Sequence, residues 1–362
     1  MINRKVDMNP PIASQGSPLK GIRIVEFEGI GPGPLAGLFL AQLGADVTVV
    51  ARPGPGALPK DMTPREDGLL SRGKRRVVLN LKQENDRDRA LEIVAASDGL
   101  IEGNRPGVME RLGLGPGVCG RLNPRLVYGR MTGWGQDGPL AQAAGHDMNY
   151  VALTGLMALT ERPGHPPILP PTVLGDAAGA LGFSLGMVSG LLAARTSGQG
   201  CVVDGAIVDV LAMLSPLVQL VSAAGGFDAG VPSVFHDSPF YDRYLCADGR
   251  YVTVGAIEPP FYALLLERLG LSDVVLSEQM DRSAWPALKA RMAALFASRP
   301  SAHWTQLLEG TDACYAPVLN MAEAARHPHN VARGLYHVTP AGDVETVRGL
   351  RFAALADRAT RA

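Results

Sequence analysis

The stretch from residue 22 to residue 50 limits the fold of this chain more tightly than any other stretch. Residues 22–27 are a β-branched, strand-like run, and residues 29–34 alternate glycine with proline or isoleucine. Apolar residues then recur at helical spacing over 35–43 before a second strand-like run at 46–50. Strand, glycine turn, helix and strand in this order form a βαβ unit, which predicts a parallel sheet with right-handed crossovers.

The alternation continues downstream and then changes character. Further predicted elements of the first part are, in chain order, a strand at 76–81, a helix at 86–96, strands at 99–102 and 126–128, and a helix at 177–194. The second part carries an apolar helix and linker at 211–235, a hairpin of 241–246 with 251–256 on an Asp248-Gly249 turn, and helices at 259–269 and 285–297. The predicted fold class is α/β, with a large Rossmann-like parallel-sheet domain and a smaller α+β domain.

These elements predict a division of the chain into five segments. They are a flexible leader at 1–17, a large domain at 18–210, a linker at 211–237, a small α+β domain at 238–320, and a linker that returns to the large domain at 321–362. A length of 362 residues is sufficient for two such domains.

The overall charge argues against a nucleic-acid or membrane partner. The formal net charge is −1, so an anionic ligand must be met by a local cluster of basic residues. We expect no apolar run long enough to span a bilayer, no signal peptide, and a cytoplasmic location. The four cysteines lack metal-ligand spacing, which predicts reduced thiols and no metal site.

The glycine turn itself partly fits a dinucleotide-binding pattern. Gly31, Gly33 and Ala36 match GxGxxG/A between a strand and a helix. A nicotinamide-binding domain should then carry an acidic residue at the end of the second strand, but Ala51 and Arg52 stand there. The pattern therefore favours a tight turn over a dinucleotide site.

Basic residues cluster at three places in the predicted large domain, and each cluster alone is also typical of a solvated surface. Because one arginine can bind two phosphate oxygens at once, the three clusters together favour a polyanionic ligand. The residues are Arg52, the group Arg72, Lys74, Arg75 and Arg76, and the pair Arg105 and Arg111.

Three further residues have the chemistry of proton transfer. His146 precedes Asp147 after a small-residue loop, and histidine acts as base or acid near neutrality. Asp176 stands at the predicted start of the long helix, where it can be an N-cap, a proton carrier, or a neighbour of amides that bind an enolate oxygen. Glu258 precedes a predicted helix and can simply complement its dipole. His146 can likewise be an ordinary loop residue.

Ordered blocks along residues 18–340 give the chain a specific resemblance. It resembles the α-methylacyl-CoA racemases of the family III CoA-transferase superfamily. The blocks are 25–34, 43–47, 72–75, 104–107, 131–136, 145–150, 175–176, 242–244, 255–259 and 312–319.

The resemblance implies an interlocked homodimer in which each active site is shared by two subunits. It implies that His146 and Asp176 flank the α-carbon of an acyl-CoA, with Glu258 supplied by the partner subunit. It also implies no cofactor beyond the CoA part of the substrate. The CoA-binding residues that it implies are Arg52, Arg72, Lys74, Arg75, Arg105, Arg111 and Asp147.

The implied reaction is the interconversion of R- and S-2-methylacyl-CoA through an enolate. One alternative is a CoA-transferase, which would use Asp176 as a nucleophile; His146 is typical of the racemase form. Another alternative is a CoA-binding protein without catalysis. Ala51 and Ala180 depart from residues common in the family, and the acyl group stays open.

Overall fold

The computed structural model describes residues 17–54, 68–162, 165–227, 231–340, 342–347 and 349–352. The chain divides into two compact units. One comprises the residues up to Ser215 together with those from Val347 onwards, and the other comprises Pro216–Thr346. The division after Ser215 falls inside the predicted linker at 211–237. The predicted leader lies outside the described residues except for Ser17.

The first unit is built on a six-stranded sheet with the order β3-β2-β1-β4-β5-β6. All neighbouring strands are parallel. This is the Rossmann strand order, and it confirms the predicted fold class. The strands are β1 Arg23–Phe27, β2 Asp46–Ala51, β3 Lys74–Val78, β4 Gly99–Glu102, β5 Val127–Thr132 and β6 Cys201–Ala206.

Helices cover both faces of this sheet. Apolar residues of β1, β2 and β5 pack with α1 and α6 on one face, and Val25, Phe27 and Leu100 pack with α2 and α4 on the other. The helices are α1 Pro32–Gln42, α2 Glu84–Ala95, α3 Val108–Arg111, α4 Pro116–Leu122, α5 Asp147–Leu153, α6 Ala178–Ser197 and α7 Ile207–Met213.

The second unit has its own apolar core around a three-stranded antiparallel sheet, in the order β7-β8-β9. A separate hairpin of β10 and β11 follows. Its strands are β7 Tyr241–Leu245, β8 Tyr251–Gly255, β9 Tyr315–Pro317, β10 Tyr336–Val338 and β11 Val344–Thr346. Its helices are α8 Pro216–Ala223, α9 Pro259–Arg268, α10 Trp285–Ala297, α11 Ser301–Leu308, α12 Met321–Ala324 and α13 Pro328–Arg333.

Two of the differences from the sequence expectation concern the edge of the sheet and the start of α6. Strand β6 was not predicted, because Cys201–Ala206 contains only two β-branched residues, Val202 and Val203. They lie between a glycine-rich turn and Asp204, which is too short a run to indicate a strand. A π-helical turn, Val173–Ala177, precedes α6, so Asp176 lies inside this turn and is not an N-cap. With that turn included, Val173–Ser197 is long and apolar enough to span a membrane by length and composition, contrary to the expectation, and 44% of its most apolar window is buried.

Candidate active site

The glycine turn and two of the predicted basic segments follow the carboxyl ends of the parallel strands. The turn of residues 29–34 follows β1, Arg52 follows β2, and the turn that carries Arg105 follows β4. The connections that leave the neighbouring strands β1 and β4 run in opposite directions along the sheet, to β2 and to β5. Ligands of open α/β sheets bind at the carboxyl edge beside such a switch point.

His146 is the N-cap residue directly before helix α5. Its backbone is extended, with φ −136° and ψ 173°. The side chain of Asn149 accepts a hydrogen bond of 3.0 Å from the His146 amide, and the Asn149 amide donates to the His146 carbonyl at 2.8 Å. These reciprocal bonds fix the start of the helix and leave the imidazole exposed.

Asp147 ties the start of α5 to the turn that carries Asp176. Its carboxylate accepts hydrogen bonds from the amide of Asp176 at 2.7 Å and from the amide of Thr172 at 3.2 Å. Gly175 makes this approach possible, because a Cβ at that position would overlap the Asp147 carboxylate. The family resemblance implies that Asp147 binds CoA, whereas in the structure its carboxylate joins the start of α5 to the turn that carries Asp176.

The Asp176 carboxyl is half-buried beside Asp147 and His146. Burial raises its pKa above the usual range, the Asp147 carboxylate raises it further, and His146 lowers it in part. His146 directly precedes Asp147 in the chain, so the hydrogen bond from the Asp176 amide to Asp147 holds the two segments together. A carboxyl with a raised pKa keeps its proton closer to neutrality, which suits a group that must both give and take protons.

Glycines and aromatic rings form the surroundings of Asp176. A Cβ on Gly31, the residue before α1, would lie 3.3 Å from Asp176 Oδ2. The phenol of Tyr150 donates to the carbonyl of Gly145, and its ring meets that of Trp134 edge-on with 4.7 Å between centroids. Burial and the charge of Asp176 raise the pKa of Tyr150. These contacts bring the blocks 29–34, 131–136, 145–150 and 175–176 to one place.

Glu28 arranges two of the cations at the carboxyl edge. It follows β1, accepts a hydrogen bond of 3.1 Å from the Arg52 amide, and lies 2.9 Å from a guanidinium nitrogen of Arg76. The side chain of Arg52 remains 54% exposed. Glu28 was not among the predicted site residues; its position immediately after a central strand was the available signal. Arg72, which ends the short turn Leu69–Ser71, is exposed.

Lys74 and Arg75 occupy a different place from Arg52. Both begin β3, and Arg75 lies beside Thr48 of β2 and contacts Asp46 at 2.7 Å. Four residues along β2 separate Thr48 from Arg52, which is about 13 Å. Lys74 is buried against Glu26. The structure therefore does not bring Lys74 and Arg75 together with Arg52 at the carboxyl edge.

Arg105 and Arg111 flank the turn after β4, and both side chains are exposed. Within the described ranges neither guanidinium has an ion-pair partner. The backbone of the turn is held by the buried Glu102. Its carboxylate accepts a hydrogen bond of 2.7 Å from the Asn104 amide and one of 2.9 Å from the Arg130 guanidinium. Two free cations on an anchored turn are suited to phosphate groups.

Glu258 belongs to the second unit. It is the exposed residue before α9, with Pro259 and Pro260 at the first helical positions. The side-chain amide of Gln279 donates to the carbonyls of Ala256 and Ile257 and fixes the preceding loop. Burial raises the pKa of the Cys314 thiol, and the negative charge of Glu258 raises it further.

The two departures from the family pattern are both interior residues. Ala51 is 1% exposed at the end of β2, and Ala180 is fully buried among the apolar residues that α6 shares with α1 and β5. The Ala180 methyl therefore packs in the core. No group of three or more His, Cys, Asp or Glu side chains that could hold a metal ion occurs in the part of the chain that the structure describes.

Comparison with solved structures defines the class of this fold. Rv3272 from Mycobacterium tuberculosis superimposes with a TM-score of 0.76 at 27% identity, covering 93% of this chain and 92% of that one. A CAIB/BAIF family protein from Brucella suis gives a TM-score of 0.76 at 24% identity, with 94% and 93% coverage.

Sequence comparison then gives the family. The model of CoA-transferase family III matches residues 19–361, and the chain belongs to this family. Alpha-methylacyl-CoA racemase of Homo sapiens is 40% identical over 90% of this chain and 84% of its own length. Acetyl-CoA:oxalate CoA-transferase of Acetobacter aceti is 31% identical, over 89% of this chain and 86% of its own length.

Proposed function

We propose that the protein is an isomerase that interconverts R- and S-2-methylacyl-CoA thioesters by moving the α-proton. The observation that carries this proposal is the placement of His146 and Asp176, two groups able to exchange protons, on segments that the Asp147 carboxylate joins. The 40% identity to two mammalian alpha-methylacyl-CoA racemases supports it.

The reaction needs one base and one acid on opposite faces of the α-carbon. With the S-substrate, neutral His146 removes the proton and protonated Asp176 delivers one to the other face; with the R-substrate the roles reverse. The raised pKa of Asp176 favours the protonated form that the first direction requires.

The enolate oxygen needs hydrogen-bond donors, and the expected donor is not free. The Asp176 amide already donates to Asp147, and the Ala177 amide donates to the Thr172 carbonyl at 2.9 Å. The first amides of α5, those of Asp147 and Met148, have no acceptor inside their own helix. We therefore assign enolate stabilisation to this end of α5, next to His146.

Substrate binding follows from the cations at the carboxyl edge. Arg52, Arg105 and Arg111 hold the phosphates and the adenosine end of CoA, and Arg72 contributes from the neighbouring turn. We leave Lys74 and Arg75 out of this site, because Lys74 is buried against Glu26 and Arg75 lies near the amino end of β3, away from the carboxyl edge. No cofactor beyond the CoA moiety is required by this chemistry.

A CoA-transferase is the second candidate, because relatives such as acetyl-CoA:oxalate CoA-transferase share the fold family. That reaction needs Asp176 as an ionised nucleophile. The raised pKa of Asp176 reduces the ionised fraction, and His146 would have no role. Both observations favour the isomerase.

The active enzyme in this proposal is a cytoplasmic homodimer, with Glu258 of the partner subunit completing each site and orienting His146. Three leucines on one side of α6, Leu181, Leu185 and Leu192, are 61%, 59% and 67% exposed. Such a row of exposed leucines is an apolar surface that a second copy can cover. Sedimentation analysis should give twice the monomer mass, and a monomer at assay concentration would contradict this part.

Single-base variants test the assignment of roles. His146→Ala should suppress deuterium uptake from the S-substrate in D₂O by about 10²- to 10⁴-fold. The R-substrate should still exchange without inverting, because Asp176 can remove and return its proton. Asp176→Ala should give the mirror-image result.

Exposed residues of the same types serve as controls. His329→Ala and Asp88→Asn change exposed side chains of α13 and α2 and should leave both exchange rates unaltered. Equal loss from both enantiomers in either active-site variant would refute the division of labour.

A further inference from the structure

A buried ion pair lies under helix α1 and has no part in the chemistry above. Lys74 Nζ is 2.6 Å from Glu26 Oε2, and the two side chains are 1% and 3% exposed. Glu26 is on β1 and Lys74 on β3, so the lysine side chain crosses β2 to reach it. Buried ion pairs contribute little net stability, because desolvation offsets their attraction. The pair therefore invites an explanation other than stability.

The pair holds helix α1 at two successive turns. Lys74 Nζ also donates a hydrogen bond of 2.7 Å to the carbonyl of Pro34, in the first turn of the helix. Gly37 lies in the next turn, and the Glu26 carboxylate fills the space that a side chain there would need, since a Cβ would overlap Glu26 Oε2. The start of α1 is thus tied to both β1 and β3.

The same end of α1 borders the proton-transfer site. Gly31 directly precedes the helix with φ 66° and ψ −122°, and the space beside its Cα is bounded by Asp176 Oδ2, 3.3 Å from a Cβ placed there. A shift of the first turn of α1 therefore changes the surface against which the Asp176 carboxyl lies. A carboxyl that must reach the α-carbon from one face depends on that surface.

We propose that Glu26 and Lys74 are positioning residues for Asp176: their buried pair fixes the first turn of α1, and Gly31, directly before that turn, bounds the space in which the Asp176 carboxyl lies. This rests on the proposed isomerase function, in which Asp176 serves one face of the substrate. His146 stands on α5, which the pair does not touch. The pair should accordingly matter for one direction of proton removal more than for the other.

The double variant Glu26→Gln with Lys74→Met removes both charges while keeping side chains of similar size. Exchange from the R-substrate, which uses Asp176 as base, should fall by about 10- to 100-fold, the cost typical of a misplaced catalytic group. Exchange from the S-substrate should change much less, and the apparent KM for the thioester should stay constant. If Lys74→Gln replaces Lys74→Met in the double variant, a donor for the Pro34 carbonyl is kept. Part of the exchange rate from the R-substrate should then return.

The control is an ion pair of the second unit, in which Arg291 Nη1 also lies 2.6 Å from Asp273 Oδ2. Asp273→Asn with Arg291→Met should leave both exchange rates unaltered. Equal loss from both enantiomers in the Glu26/Lys74 variant, or no loss at all, would overturn the proposal.

Crystal structures separate this proposal from the proposed function. The turn at Gly31 should move relative to the Asp176 carboxyl in the double variant, and superimposable sites would contradict positioning whatever the reaction is. Wild-type protein that exchanges neither enantiomer would instead contradict the isomerase, and the structures would still decide the role of the pair.

Discussion

Gly31→Ala tests the contact between the start of α1 and Asp176 with a single methyl group. Its backbone has φ 66° and ψ −122°, which L-residues rarely adopt, so alanine should destabilise the fold by about 1–3 kcal/mol. The new Cβ would lie 3.3 Å from Asp176 Oδ2, so the carboxyl must give way by a few tenths of an ångström. If 1 Å costs about 100-fold, this displacement lowers the Asp176-dependent rate by about 3- to 10-fold.

The matched control is Gly21→Ala. Gly21 also has positive φ, 84°, but a Cβ there would have no atom within 4 Å. Both variants should lose stability in urea denaturation, and only Gly31→Ala should lose α-proton exchange from the R-substrate. Equal rates for the two variants, or a loss from the S-substrate alone, would refute the inferred contact.

Three further predictions follow from the charges. Asp147→Asn removes a negative charge beside Asp176, so the pKa of Asp176 falls and the acid limb of the pH profile for R-substrate exchange moves to lower pH; an unmoved limb would contradict the electrostatic coupling. Arg105→Ala should raise the KM for acyl-CoA by about tenfold with kcat unchanged, since a charge-assisted hydrogen bond is lost, while the exposed Arg89→Ala on α2 should leave KM as it is. Burial, only partly offset by Lys74, raises the pKa of Glu26 from 4.5 to about 7. The folded protein therefore keeps a proton that the unfolded chain has lost, so this group makes stability decline as pH rises from 4.5 to 7; denaturation at both ends of that range should show the decline reduced in Glu26→Gln.

The sequence was sufficient to predict the parallel sheet, because β-branched runs alternating with helical periodicity admit few other folds. Strands β1, β2 and β4 and helices α9 and α10 lie within one residue of the predicted bounds at every end. Helix α1 begins at Pro32, three residues before its predicted start, because proline is favoured in the first helical turn. The edge strand β6 has too few strand-forming residues to be seen in the sequence alone.

The parts of the site that could not be predicted depend on side chains meeting across long sequence distances. Asp147 and Asp176 are adjacent only because Gly175 admits the carboxylate. Lys74 belongs to a row of basic residues that suggests a phosphate site, yet its partner Glu26 stands 48 positions earlier. A basic run indicates charge, and only the fold shows which members of the run are already paired.

Proton exchange by the wild-type protein tests the proposed activity most directly. R- and S-2-methylacyl-CoA would be incubated separately in D₂O with an added carboxylic acid, and followed by NMR and chiral analysis. The isomerase predicts deuterium at the α-carbon of both substrates and convergence on one mixture of R and S, with CoA remaining on its original acyl group. Transfer of CoA to the added acid without α-deuteration would contradict it and establish the transferase.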